Sequence, residues 1–187
     1  DYIHLLEKEN LIISTELGEN FEHLCNQTVT KVEHNSKEVI PNTLYICKGL
    51  NYKREYLEEA IHNGAMVYVS ESENVSNAGF PHIVVKDIRK ALAAIACMYY
   101  DFPASKINMI GITGTKGKST SAYYIKSILD HYMKRKGLMD TAIVSSIDTY
   151  DGKSCRESLI TSPESIDLQE IIANSVDSHI QNLVMEV

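Results

Sequence analysis

The chain has 187 residues, of which 44% are hydrophobic and 23% are charged, so its composition is that of a globular protein with a core. The net charge of −7 argues against nucleic-acid binding, because binding to a phosphate backbone needs clustered Lys and Arg residues. No apolar run approaches the roughly 18 residues that span a membrane, and the four Cys residues lack the spacing of a zinc site, so neither membrane association nor a zinc centre is expected.

The first half of the sequence predicts a small α/β domain over residues 1–86. Residues 2–10 mix apolar and charged positions, which is typical of a short amphipathic helix. Short apolar runs separated by turn residues then predict strands, and Gly64 is placed to end the one longer helix between them. In chain order these elements are a strand near Val29 and Val32, a strand over 44–47, a helix over 56–61, and strands over 66–69 and 83–85.

The second half, residues 87–187, predicts an α/β domain with a mostly parallel sheet. Asp87 is placed to cap a helix with a regular apolar stripe, which should stop before Pro103. An apolar run, a glycine-rich turn and a second helical stripe follow, and this order is typical of the start of a nucleotide-binding sheet. The remaining predicted elements are strands over 107–112 and 142–146, a helix over 165–176 and a strand over 183–187.

The strongest chemical signal is the sequence G-I-T-G-T-K-G-K-S-T at residues 111–120, between a predicted strand and a predicted helix. Glycines at such a turn let successive backbone N–H groups point at phosphate oxygens, and the helix N-terminus adds partial positive charge. Lys118 would reach the terminal phosphates, and Ser119 would offer its hydroxyl to Mg²⁺. The general P-loop pattern needs glycine where Ile112 stands, so this is a variant spacing. The plainer alternative is a glycine-rich turn with an incidental lysine.

That variant spacing resembles the ATP-binding signature of the Mur ligases, much of which is shared by folylpolyglutamate synthetases. Three further stretches resemble the Mur ligases that add the third peptide residue. They are T-S-P-E-S-I-D-L at 161–168, V-M-E-V at 184–187, and N-S-K at 35–37 followed by L-Y at 44–45 and K-G at 48–49. Together the stretches cover nearly the whole chain in the family's order.

The resemblance implies ATP and Mg²⁺ as cofactors and assigns expected roles to particular residues. Lys118 and Glu186 would be catalytic, and Ser119 and Glu186 would hold Mg²⁺. The residues implied in nucleotide binding are Gly114, Thr115, Lys116, Gly117, Lys118, Ser119 and Thr120, and those implied in substrate binding are Ser36, Thr161 and Ser162. Asn35 and Lys37 depart from the family's usual acid and arginine, while Lys116 resembles the form that adds lysine.

The implied activity is ATP-dependent ligation of an amino acid, lysine or diaminopimelate, to UDP-MurNAc-L-Ala-D-Glu through an acyl phosphate. Residues 1–86 would bind the UDP-MurNAc moiety, and 87–187 would be the truncated central ATP-binding domain. The expected partners are small-molecule substrates, with no nucleic acid and no membrane, for a monomer in the cytoplasm. Because the family's modified lysine, histidine and C-terminal domain are not among these residues, we expect no complete ligation by this chain alone.

Several alternatives stay open at the level of the sequence. Ser162 followed by Pro163 could simply be a helix start, with serine as the N-cap. Glu186 could be a charge at the edge of a sheet, and Ser36 an ordinary loop serine. The chain could also be a stand-alone nucleotide-binding module, a regulatory or scaffold protein with an empty loop, or another amide ligase of the folate or cyanophycin type.

Overall fold

The computed structural model describes residues 2–18, 27–49, 52–71, 79–158 and 162–187. The chain forms two compact units, Asp1–Tyr99 and Tyr100–Val187, each with one five-stranded sheet. The predicted α/β class is therefore confirmed. The boundary lies after Tyr99 and not at 86/87, because the helix that follows residue 87 packs on the N-terminal helix and on a strand of the first unit.

The described residues of the first unit form a sheet with the strand order β1-β5-β4-β3-β2, together with three α-helices. Strands β2, β3, β4 and β5 are parallel to one another, and β1 pairs antiparallel with β5 at the edge. Strand β1 was not predicted, because its sequence lacks a clear apolar alternation. Its first residue is half-buried and the other four are exposed. In chain order the elements are α1 (Tyr2–Lys8), β1 (Ile12–Glu16), β2 (Lys31–Glu33), β3 (Thr43–Ile46), α2 (Arg54–His62), β4 (Ala65–Ser70), β5 (His82–Val85) and α3 (Ile88–Tyr99).

Helix α3 has the start, stripe and end that its sequence predicts. The carboxylate of Asp87 accepts hydrogen bonds from the backbone N–H groups of Arg89 and Lys90, both at 3.0 Å, which satisfies donors of the first turn. The helix ends at Tyr99, ahead of Pro103. Its buried residues recur at the predicted helical spacing and are Ile88, Ala91, Leu92, Ile95 and Ala96.

The second unit has the strand order β6-β10-β7-β8-β9. Strands β6, β10 and β7 are parallel, so their carboxyl ends meet at one edge of the sheet. Strands β8 and β9 extend it as an antiparallel hairpin, which was not predicted because both strands are short and polar. The elements are β6 (Asn108–Ile112), α4 (Lys118–Arg135), β7 (Ala142–Val144), β8 (Asp148–Tyr150), β9 (Cys155–Glu157), α5 (Ser165–Asp177) and β10 (Asn182–Glu186).

Helices cover both faces of the parallel part of this sheet. Leu183 in β10 packs with Ile171 and Ile172 of α5, whereas its neighbour Val184 packs with Ala122 of α4. Successive residues of a strand point to opposite faces, so the apolar run of β10 serves two layers of core. This burial on both sides fixes β10 in the middle of the parallel strands and fixes where its last residues lie.

The start of helix α5 corrects one sequence interpretation. The helix covers the predicted range, but its N-cap is Glu164, whose backbone is extended and whose side chain makes no capping hydrogen bond. Ser162 as the N-cap is therefore wrong, because Pro163 lies before the cap and not in the first helical position. Ser162 is exposed in a bend. No helix in the described part of the chain is long and apolar enough to cross a membrane.

Candidate functional site

The glycine-rich turn joins β6 to α4 at the carboxyl edge of the second sheet. Residues 113–117 are exposed, and two of the glycines have backbone angles that disfavour a side chain, with φ of 149° at Gly114 and 76° at Gly117. Gly117 is the N-cap of α4 and provides no side-chain acceptor for the first-turn N–H groups. Those N–H groups, at the positive end of a helix of 18 residues, are suited to bind an anion.

Lys118 lies directly over this turn. Its ammonium donates a hydrogen bond of 3.0 Å to the carbonyl oxygen of Gly114. A charged phosphate oxygen is a stronger acceptor than a neutral carbonyl, so the ammonium can exchange one partner for the other when a phosphate enters the turn. The turn and Lys118 thus combine fixed N–H donors with one mobile cation.

Ser119 and Glu186 come together across two adjacent strands. In the parallel register, Glu186 at the end of β10 lies opposite Ile112 at the end of β6, and α4 begins just beyond. The Ser119 hydroxyl donates a hydrogen bond of 3.2 Å to Oε2 of Glu186. The two residues predicted to hold Mg²⁺ are therefore direct neighbours, although 67 positions separate them in the sequence.

Ser146 completes this cluster, and the sequence analysis missed it. Its backbone N–H donates to Oε1 of Glu186 at 3.1 Å, and its hydroxyl lies 3.4 Å from the same oxygen and 3.1 Å from the Ser119 hydroxyl. Residue 146 was predicted only as the end of a strand. The signal that could have found it is its place directly after β7, but that signal has value only once β7 and β10 are known to be neighbours.

The residues present fit a magnesium ion shared with a phosphate. Glu186 is only 1% exposed, yet it forms no ion pair with a Lys, Arg or His of the described residues. A buried carboxylate without a cation is costly. The described residues also contain no group of three or more His, Cys, Asp or Glu side chains that could hold a metal alone. One carboxylate with a neighbouring hydroxyl is what Mg²⁺ uses when phosphates and water complete its shell.

The predicted residue of the first unit, Ser36, has a structural partner. It is 5% exposed, and its hydroxyl donates a hydrogen bond of 2.5 Å to Oε2 of Glu59 on α2. Its carbonyl accepts a bond of 2.9 Å from the side chain of Asn63. Asn35 caps the same short turn by accepting from the N–H of Lys37 at 3.2 Å. Residues 35–37 are thus docked on α2, and Glu59 is a contact that the sequence did not predict.

The remaining predicted residues are less constrained. Thr115, Lys116 and Thr120 are exposed in or beside the glycine-rich turn. Thr161 lies outside the described residues, and Ser162 is exposed and not part of the Glu186 cluster. The structure therefore brings together Lys118, Ser119 and Glu186 with the turn, and the exposed Ser162 of the same unit lies outside this group.

Comparison with known proteins gives one family. A family profile described as "Mur ligase middle domain" matches residues 112–187. The UDP-N-acetylmuramoyl-L-alanyl-D-glutamate--L-lysine ligase of Enterococcus faecalis is 40% identical over 188 residues, which cover 97% of this chain and 36% of that protein. The UDP-N-acetylmuramyl-tripeptide synthetase of Lactococcus lactis is 39% identical over 157 residues, covering 84% of this chain and 31% of that protein. The chain thus spans about a third of the length of these relatives.

Solved structures agree at the level of the fold. A UDP-N-acetylmuramoyl-L-alanyl-D-glutamate--2,6-diaminopimelate ligase matches with a TM-score of 0.67 at 17% identity, covering 91% of this chain and 33% of that one. MurF from Acinetobacter baumannii matches with a TM-score of 0.53 at 16% identity, covering 93% and 36%. At these identities the likeness shows a shared fold.

Proposed function

The chain belongs to the Mur ligase family, and on this premise we propose that it carries the nucleotide-binding part of an ATP-dependent peptidoglycan-precursor ligase. The proposed reaction joins an amino acid to UDP-MurNAc-L-Ala-D-Glu. The names of the relatives support this substrate, and lysine ligases from Enterococcus faecalis and Streptococcus agalactiae favour lysine as the added amino acid. The proposed setting is the cytoplasm, with small-molecule substrates.

The observation that carries the proposal is the cluster of Ser119, Ser146 and Glu186 beside the Lys118 turn. In the proposed chemistry, a carboxylate oxygen of the substrate attacks the γ-phosphorus of ATP, and the bond from that phosphorus to ADP breaks. The amine then attacks the acyl carbon, and phosphate leaves. The first step brings two anions together, so it needs positive charge between them.

The residues of the second unit supply that charge in three ways. The N–H groups of residues 114–120 hold the phosphates, and the Lys118 ammonium leaves the Gly114 carbonyl to follow the transferred phosphoryl group. Ser119 and Glu186 would hold Mg²⁺, which when bound neutralises charge on the phosphate oxygens. A structure of MurF from Thermotoga maritima in complex with ADP, with a TM-score of 0.50 at 21% identity, supports a nucleotide at this fold.

We assign the UDP-MurNAc moiety to the first unit, with Ser36 as a contact, and further contacts with the substrate to Thr161 and Ser162. Ser36 is buried against Glu59, but its hydroxyl oxygen keeps lone pairs that can accept a hydrogen bond. Ser162 is exposed and does not cap α5, so its hydroxyl remains available to a ligand.

The direct test is nucleotide binding by the chain as it stands. Isothermal titration with ADP and Mg²⁺ should show binding that weakens when Mg²⁺ is chelated. Lys118→Ala should weaken it by about tenfold to a hundredfold, the range of a lost charge-assisted hydrogen bond. Lys134→Ala, an exposed lysine in the last turn of the same helix, is the matched control and should bind like the wild type. Undiminished binding by the Lys118 variant would refute the proposed role of the turn.

A further inference from the structure

The turn that carries Ser146 is closed by hydrogen bonds between its own polar groups. It joins β7 to β8, and Ser145 at its start is fully buried. The Ser145 hydroxyl accepts hydrogen bonds from the N–H groups of Ile147 and Asp148, both at 3.1 Å, and donates to the carbonyl of Asp148 at 2.9 Å. Ser146 therefore lies in a turn whose two ends, Ser145 and Asp148, are hydrogen-bonded to each other.

Helix α4 contacts this turn through a second residue, Tyr123. The Tyr123 hydroxyl donates a hydrogen bond of 2.5 Å to Oδ1 of Asp148. Residues four apart lie on the same face of a helix, so Ser119 and Tyr123 project from one side of α4. Ser119 contacts Glu186, and Tyr123 contacts the turn that presents Ser146 to the same carboxylate. One helix face thus holds the cluster at two points.

We propose that Tyr123 is a positioning residue for the metal-binding cluster, acting through Asp148 to hold Ser146 against Glu186. The inference rests on the proposed function, since Ser119 and Glu186 are the residues proposed to hold Mg²⁺. With Asp148 fixed, the Ser146 N–H donates to Oε1 of Glu186 and leaves Oε2 directed at Ser119. Without that bond the turn can move, and the carboxylate loses the partner that sets its orientation.

The chemistry of Tyr123 suits this role. Burial first, and then the hydrogen bond to Asp148, raise the pKa of Tyr123 above its ordinary value of 10.0, so the hydroxyl keeps its proton at neutral pH. Its ring also packs beside Ala122, Ile143 and Val184, which is a purely structural contribution. The test must therefore separate the hydroxyl from the ring.

Tyr123→Phe makes that separation, because it keeps the ring and removes only the hydroxyl. ADP affinity is measured by titration calorimetry with Mg²⁺ and again with the metal chelated. In the variant, the gain in ADP affinity caused by Mg²⁺ should be about tenfold smaller than in the wild type, which is the range for losing an indirect metal contact. Its ADP affinity without metal should stay at the wild-type value. Tyr124→Phe is the control, because it removes the hydroxyl of the next residue, which is 68% exposed and makes no hydrogen bond with the described residues. This variant should change neither the ADP affinity with Mg²⁺ nor the affinity without it.

Asp148→Asn provides a second variant. Its amide oxygen can still accept a hydrogen bond from Tyr123, so this variant should retain most of the Mg²⁺ effect. A Tyr123→Phe protein with the full Mg²⁺ effect would overturn the inference. An equal loss with and without Mg²⁺ would also overturn it, since that pattern means general damage to the fold. A wild-type chain whose ADP binding does not respond to Mg²⁺ would instead overturn the proposed function, and the positioning role with it.

Discussion

Glu186 is a buried carboxylate at the end of β10, in the centre of the parallel part of the second sheet. It is 1% exposed and receives one backbone N–H and the hydroxyls of two serines, but no cationic side chain of the described residues. Hydrogen bonds lower the cost of such a charge, yet they do not remove it. We therefore expect the residue to lower the stability of the free protein at the position where it would serve the nucleotide.

This conflict predicts opposite effects of Glu186→Gln on binding and on stability. The neutral side chain keeps nearly the same shape and can still accept from the Ser146 N–H. We expect the melting temperature to be equal or higher, because a buried charge is removed, and the Mg²⁺-dependent gain in ADP affinity to disappear. Differential scanning fluorimetry and titration calorimetry measure the two quantities.

The matched control is Glu157→Gln, which neutralises an exposed carboxylate in β9 of the same sheet. It should leave both the melting temperature and the Mg²⁺ effect close to the wild-type values. A Glu186→Gln protein that melts lower and still responds to Mg²⁺ would show that the carboxylate serves the fold and not a cation.

Glu33 in the first unit is a second buried carboxylate, but unlike Glu186 it has a cationic partner, Lys31. Burial alone would raise the pKa of Glu33, but hydrogen bonds from the Asn35 N–H and the Lys31 ammonium, with another from the His34 N–H, outweigh it. The pKa is therefore lowered from its ordinary value of 4.5. Because the folded protein favours the ionised form, Glu33 contributes stability above pH 4.5, and that contribution is lost as the pH falls through the lowered folded-state pKa.

Glu33→Gln should therefore cost most stability at neutral pH and progressively less in acid. The measurement is the free energy of unfolding by urea, for the wild type and the variant, at several values from pH 7 to below pH 4. Glu55→Gln, in the exposed first turn of α2, is the control and should give a difference that stays small throughout. A Glu33→Gln deficit that is constant across pH would mean that its packing, and not its charge, matters.

At the scale of secondary structure, local pattern predicted the helices and the buried strands. The periodicity of α3 and α4, the Asp87 cap and the apolar run of β10 are all encoded by neighbours in the chain. The edge strand β1 and the β8–β9 hairpin were missed, because they are short and largely exposed and depend on pairing with distant strands.

The same limit applies to the site. The glycine-rich turn between a strand and a helix could be predicted because it is one continuous segment with a known sequence pattern. Ser146 could not, since its contact with Glu186 depends on β10 pairing beside β7. Glu59, the partner of Ser36, depends likewise on the docking of a turn against α2. Contacts between elements that are distant in sequence carry no local signature.

The connection from α2 to β4 contains Gly64, whose backbone and surroundings leave no room for a side chain. Gly64 ends the helix with φ of 108°, and a Cβ added there would lie 2.8 Å from the Cα of Pro41. Gly64→Ala thus combines backbone strain with a backbone clash, and we expect a loss of about 2–5 kcal/mol in the free energy of unfolding.

Gly79→Ala is the comparison variant for urea unfolding, because Gly79 has a similar φ of 93° but no described atom within 4 Å of the place that an added Cβ would take. It should show only the backbone cost, about 1–3 kcal/mol. Equal losses at the two positions would mean that the chain around Pro41 yields to the added methyl group.

The whole molecule consists of two compact units, and each contains one sheet. A ligand that binds only the folded form of one unit stabilises that unit in proportion to the logarithm of ligand concentration over Kd. Two ligands with different sites should therefore protect different parts of the chain from hydrogen exchange.

Hydrogen exchange followed by mass spectrometry can test whether the two units bind different ligands. ADP with Mg²⁺ should slow exchange at 111–120 and 182–187, because the turn and the end of β10 surround the proposed phosphate and metal sites. A uridine nucleotide should slow exchange at 33–38, where Ser36 lies. At the same ADP concentration, Lys118→Ala should weaken the first pattern and keep the second, since it alters only the turn of the second unit. Protection of 33–38 by ADP, or no protection there by the uridine nucleotide, would show that the two units do not divide the substrates in this way.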